Sequence, residues 1–170
     1  MAKTIYPGST TDRAAQVRAA LKAKGWTSRD VSVRADYYSM GSTLRVVIKN
    51  PSVPLAVVEA IANEHESIDR DQWGEILSGG NRFVDVCYTT TAMDALASKY
   101  TEQIAAAGAS VDAFAEGDNS LVQIGDTGYL MGRGANSYGY SLWKDNHIQT
   151  ANTAEYLAGV LAIQLQQEGR

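Results

Sequence analysis

The sequence predicts an α+β protein built from small antiparallel sheets with helices packed on one face. Three observations carry this. Several segments repeat apolar residues at helical spacing, several short runs alternate apolar with polar residues, and the connections between them are rich in Gly, Asn and Asp.

The first helix starts at STTD (residues 9–12), a capping sequence. It continues through AAQVRAALKAKG with Ala14, Val17 and Leu21 on one face and Gly25 as a stop. Val31, Val33 and Ala35 then alternate with polar residues, and Leu44, Val46 and Ile48 do the same after a Ser-Met-Gly-Ser turn. The pair reads as an antiparallel hairpin. Because alternation points neighbouring tyrosines to opposite faces, one of Tyr37 and Tyr38 is expected in the core. Pro51 and Pro54 bracket the start of a second helix with the stripe Leu55, Val58 and Ile61. A polar connection, SIDRDQWGEILSGGN, leads into a third strand, RFVDVCY. The order α-β-β-α-β thus occupies residues 1–90.

Residues 91–170 read as α-β-β-β-β-α. Thr91 and Asp94 have capping-box spacing ahead of the stripe Met93, Leu96, Tyr100 and Ile104, and Gly108 is expected to end that helix. Strands are expected in SVDAFA, SLVQI, GYLMG and SYGYSLW, and a last helix is expected to be capped by Asn152 with Glu155 at the third position. Two lobes of similar size, or one extended sheet with helices on one side, fit this order equally.

A chain of 170 residues with 45% apolar and 20% charged residues can bury a core and is neither a disordered tail nor a membrane protein. The start, MAKTIYPGSTTDR, lacks the apolar stretch of a secretory signal. A single cysteine, Cys87, excludes an internal disulfide, so the expected location is the cytoplasm. The net charge of −4 is unevenly spread. Residues 1–49 hold nine Lys/Arg against three Asp/Glu, and residues 50–170 hold six against sixteen. Two binding surfaces of opposite sign, or pairing within the chain, would both give this split.

The residues that could carry chemistry are sparse. His65, placed on the polar side of a helix, and His147, in a KDNH turn, have no partner at metal-ligand spacing. DRDQWG opens like a calcium loop at Asp69 and Asp71, but Trp73 and Gly80 occupy positions that need oxygen donors. Cys87, in an alternating strand, reads as a packed small side chain. No catalytic residue, metal or cofactor is therefore expected.

Three surfaces stand out instead. The hairpin offers Arg34, Arg45 and Lys49 for phosphates and Tyr37 and Tyr38 for stacking, with Asp36 beside Arg34. The connection after the second helix concentrates carboxylates at Glu64, Glu66, Asp69, Asp71 and Glu75, a surface that would suit a basic groove on another protein. Finally, Ser78, Gly79, Gly80, Asn81 and Arg82 could form a backbone anion nest or nucleotide contact, although hairpin glycines explain the same residues.

The stretch VSVRADYYSMGSTLRVV, followed by VEAIANEHESIDRDQWGEILSGGNRFVDVCY, resembles one of the large polyvalent-protein-associated domains of phages and conjugative elements. The residues carrying the resemblance are Val33, Arg34, Asp36, Tyr38, Ser39, Gly41 and Ser42, then Gly79, Gly80, Asn81 and Arg82. It covers about residues 12–90, and residues 91–170 have no counterpart. The family's modules are small α+β units within very long proteins and are associated with conflict between mobile elements and hosts. The resemblance implies no catalytic residues. In a chain this short it favours a compact effector in the host cytoplasm that binds and inhibits a host-defence protein, with CRISPR effector complexes the foremost target class. Single-stranded nucleic-acid binding through the hairpin is the alternative, and sequestration of a nucleotide signal by the glycine-rich loops is a further one. A homo-oligomer is compatible with all three.

Overall fold

The computed structural model describes residues 8–39, 41–77, 80–115, 119–134, 139–145, 147–151 and 153–168. The chain divides into two compact units, 1–92 and 93–170. The α+β class is observed in both.

In the first unit, α1 (Thr10–Ala23) is followed by β1 (Val31–Tyr38), β2 (Gly41–Ile48), α2 (Leu55–Asn63) and β3 (Asn81–Tyr88). A complete capping box opens α1: the Ser9 hydroxyl accepts from the Asp12 N–H, and the Asp12 carboxylate accepts from the Ser9 N–H. Helix α2 starts directly after Pro54, whose fixed φ suits that position. The sheet order is β1-β2-β3. β1 and β2 form the expected antiparallel hairpin, with Val33 opposite Val46 and Arg34 opposite Arg45. β3, however, runs parallel to β2, with Gly41 beside Asn81 and Ile48 beside Tyr88, so the sheet is mixed and not wholly antiparallel. The cause is the connection: α2 carries the chain back across the sheet, so the next strand starts at the same end as its neighbour.

One sheet face is dry. Leu44, Val46 and Ile48 of β2 are fully buried, flanked by Val31, Val33 and Tyr88. Against them α1 buries Ala14, Val17 and Leu21, and α2 buries Leu55, Val58 and Ala62, with Ile61 only half-buried. The Tyr88 hydroxyl donates to the Val53 carbonyl at 2.8 Å and pins the entry to α2.

The second unit differs more from expectation. A helix α3 (Thr90–Ala97) precedes α4 (Thr101–Asp112), so the single helix expected from residue 91 to Gly108 is two. The Ala92 N–H donates to the Thr89 hydroxyl, so the cap sits at Thr89 and not at Thr91. Gly108 lies within α4, buried, where an added Cβ would stand 3.4 Å from the Met131 methyl. That is ordinary contact distance, and Gly108 continues α4 and does not end the helix. SVDAFA is no strand, because its Val111 belongs to α4 and is fully buried. Strands β4 (Val122–Gln123), β5 (Leu130–Arg133), β6 (Tyr140–Lys144) and β7 (His147–Ala151) form an antiparallel meander in that order. His147 therefore opens a strand where the sequence predicts a turn. Helix α5 (Ala154–Gln167) is capped by Thr153, whose hydroxyl accepts from the Tyr156 N–H, and Asn152 lies outside the described residues. The core joins Ile104 and Val111 of α4 and Leu157 and Leu161 of α5 to Ile124, Met131 and Leu142.

Candidate binding surface at the hairpin end of the first unit

The parallel β2–β3 pairing brings together the two segments singled out in the sequence. The turn of the hairpin and the start of β3 are neighbours, because Gly41 pairs with Asn81 and Ser42 with Arg82. Gly41 has φ +145°, and an added Cβ would fall well inside van der Waals contact with the Asn81 carbonyl oxygen, so only glycine fits. Asn81 is buried. Its side-chain oxygen accepts from the Asp69 N–H at 2.7 Å, and its NH2 donates to the Leu77 carbonyl. One asparagine thus ties down both ends of the loop before β3.

That loop is a small hairpin. Bridges join Ser67 to Arg82 and Arg70 to Ile76, and the Asp71 carboxylate accepts from the N–H groups of Trp73 and Glu75, both at 2.9 Å. Asp71 therefore shapes the turn, which holds out Trp73 with 79% of its surface exposed. Asp69 and Glu75 are exposed, and Glu66 is half-buried. Asp69, Asp71 and Glu75 share this small hairpin, which carries an apolar tip that charge counting alone does not reveal. Ser78 and Gly79 lie outside the described residues. Gly80 has φ +71°, in the left-handed region that glycine favours.

Both tyrosines of the hairpin are exposed, Tyr37 at 61% and Tyr38 at 46%, so neither is in the core. Tyr37 does turn to the helix side, but β1 extends past the start of α1. There its hydroxyl accepts from the Thr11 N–H at 3.0 Å and bonds the Thr11 hydroxyl, which holds the phenol below its ordinary pKa. Tyr38 lies on the other face. Its ring stacks on Phe83 with centroids 6.2 Å apart, and its hydroxyl bonds Thr43 at 2.8 Å.

That other face, which neither helix of the unit covers, carries a row of charges. Arg34 sits opposite Arg45, and Arg45 beside Asp85, with 3.4 Å between guanidinium and carboxylate. Asp36 and Asp85 match the two arginines in number, so this face has no net positive charge. Cys87 is exposed here, and was not foreseen as such; loss of hydration and then Asp85 push its thiol up, away from nucleophilic use.

On the helix side, a buried polar cluster lies beneath the hairpin turn. The Thr10 hydroxyl donates to the buried Ser42 hydroxyl at 2.7 Å. Arg13 is fully buried and donates through Nη2 to the His65 carbonyl, while its Nε and Nη1 have no hydrogen-bond partner. Burial, and then Arg82, lower the Arg13 pKa. His65 is buried and not on a polar helix face. Burial and then Arg13 lower its pKa. Arg13 went unremarked in the sequence, although it falls in the stripe of residues 10, 13, 14, 17 and 21 that α1 buries. A charge on an apolar stripe was the available signal.

Among the described residues no group of acidic, His or Cys side chains could hold a metal ion, and no helix is long and apolar enough to cross a membrane. No protein-family model, curated protein or solved structure matches the chain.

Proposed function

We propose that this chain acts by binding another protein and not by turnover, through the hairpin end of its first unit. The observation that carries the proposal is where the exposed apolar side chains fall. Tyr37, Tyr38, Trp73, Ile76 and Leu77 are large, exposed, and all on the two segments that meet at the Gly41–Asn81 approach. Exposed aromatics of this kind, with arginines nearby, are the side chains that dominate protein interfaces. The acidic residues Asp69 and Glu75 beside Trp73 suit a partner with a basic rim. In its specific form, which rests on the family resemblance of residues 12–90, the protein is a mobile-element effector that inhibits a host-defence complex stoichiometrically. A CRISPR effector in the host cytoplasm is the first target to test.

The stacked pair Tyr38–Phe83 also favours a second reading, single-stranded nucleic-acid binding. The balanced charge of that sheet face counts against it, because phosphates reward net positive charge. One experiment separates the two. The chain is expressed in a bacterium with an active CRISPR system and challenged with a sensitive phage, and tagged protein is recovered with and without nuclease. Protein binding predicts restored plaques and a partner that survives nuclease, with both lost in the double variant Tyr38→Ala, Trp73→Ala. A partner lost on nuclease treatment supports the second reading, and unchanged behaviour of the double variant overturns the proposed surface.

A further inference from the structure

A separate feature lies along the outer edge of the same sheet. β1 is the terminal strand, and among the described residues no strand pairs with its outer side. The Lys49 N–H donates to the Asp30 carbonyl at 2.7 Å, which makes Asp30 and Lys49 a hydrogen-bonded pair in line with the register that follows. By alternation, Ser32, Arg34, Asp36 and Tyr38 exchange hydrogen bonds with β2, and the backbone groups of Val31, Val33, Ala35 and Tyr37 turn outward. Two contacts agree: the Val31 N–H donates to the Thr27 carbonyl at 2.9 Å, and Arg18 Nη2 donates to the Val33 carbonyl at 2.6 Å.

Alongside this edge runs a groove of about 330 Å³ between α1 and β1. Its apolar wall comes from Leu21, Val31 and the half-buried Trp26, and its charged residues are Arg18, Lys22 and Arg34, with no carboxylate among the lining residues. A free strand edge next to an apolar trough is the geometry of strand addition, in which main-chain bonds give affinity and alternate side chains fill the trough.

The geometry points to this groove as a binding site for an extended acidic peptide segment of a partner protein, added as a strand along β1. The outward groups of Val33 and Ala35 pair with the peptide backbone. Alternate apolar side chains enter the trough beside Trp26, and carboxylates meet Lys22 and Arg34. Arg18 acts as the gate. A peptide N–H replaces it on the Val33 carbonyl, which frees the guanidinium to take a carboxylate. Arg18 and Lys22, in a groove with no carboxylate among its lining residues, select for acidic sequence, and the main-chain pairing selects for an extended segment over a helix.

The test uses a fluorescein-labelled, end-blocked peptide alternating valine and glutamate, titrated against the full chain by anisotropy. A valine–lysine peptide and a glutamate peptide N-methylated at every second residue serve as comparisons. The expected result is saturable binding of the acidic peptide, weaker by about tenfold or more for the lysine peptide and for Arg18→Glu, Lys22→Glu protein. N-methylation on the edge facing β1 should abolish binding, because it removes the main-chain donors. Equal binding of the acidic and lysine peptides, undiminished binding of the N-methylated peptide, or no binding of any peptide overturns the inference. Arg18 and Lys22 are exposed on α1, so their variant should fold as the parent does, which circular dichroism checks. Trp73→Ala should bind the peptide as the parent does, which keeps this result independent of the hairpin-end surface.

Discussion

At the scale of the residue, Gly41 and His65 make the sharpest demands. Gly41 combines a left-handed φ with a backbone approach that leaves no room for a methyl group. Gly41→Ala should therefore cost about 2–3 kcal/mol, measured by chemical denaturation, with the β2–β3 start displaced. His65 has its pKa held below the ordinary 6.5 by burial and by Arg13. Between the folded value and 6.5 the unfolded chain binds a proton that the folded chain does not, so stability rises with pH across that interval. It is fully present above 6.5 and is lost as pH falls through the folded value. The unfolding midpoint should thus drop between pH 7 and pH 5, and His65→Gln should flatten that dependence.

At the scale of the element, the loop between α2 and β3 is the part whose order depends on few bonds. It has two isolated bridges, the Asp71 turn and the two side-chain bonds of Asn81, but little apolar burial, since Trp73, Ile76 and Leu77 are exposed. Asn81→Ala removes both anchors and leaves the Asp69 N–H and the Leu77 carbonyl without their partner. Limited proteolysis should then cut within residues 68–77 faster than in the parent, while the melting transition of the rest moves by only a few degrees. The same element shows what was readable beforehand. Its polar residues and glycines read correctly as a connection, but its exposed apolar tip did not, because exposure depends on what the rest of the unit leaves uncovered.

At the scale of the whole molecule, each unit has its own apolar core, β2 with α1 and α2 in the first, and the β4–β7 sheet with α4 and α5 in the second. The proposed partner surface and the peptide groove both belong to residues 1–92. A fragment spanning residues 1–98, which retains all of α3, should therefore fold and keep both binding activities. A fragment that folds but captures no partner would move the binding surface to the second unit, where Tyr156 and Leu121 are the exposed large apolar residues among those described.

The sequence by itself determined what depends on neighbours along the chain. The capping box of Ser9 and Asp12, the alternation of Leu44, Val46 and Ile48, and the hairpin between β1 and β2 are all local, and period and cap chemistry report them directly. Long-range pairing is not local, and the tertiary structure alone decided it. The parallel β2–β3 register and the strand at 147–151 each follow from what a segment meets across space. So does the exposure of both tyrosines, because β1 outruns the helix that would have covered Tyr37. The candidate surface belongs to the same class. Its tyrosines and the acidic residues of the loop are legible in the sequence and the apolar tip at Trp73, Ile76 and Leu77 is not, and only the return of the chain through α2 sets the hairpin turn beside Asn81.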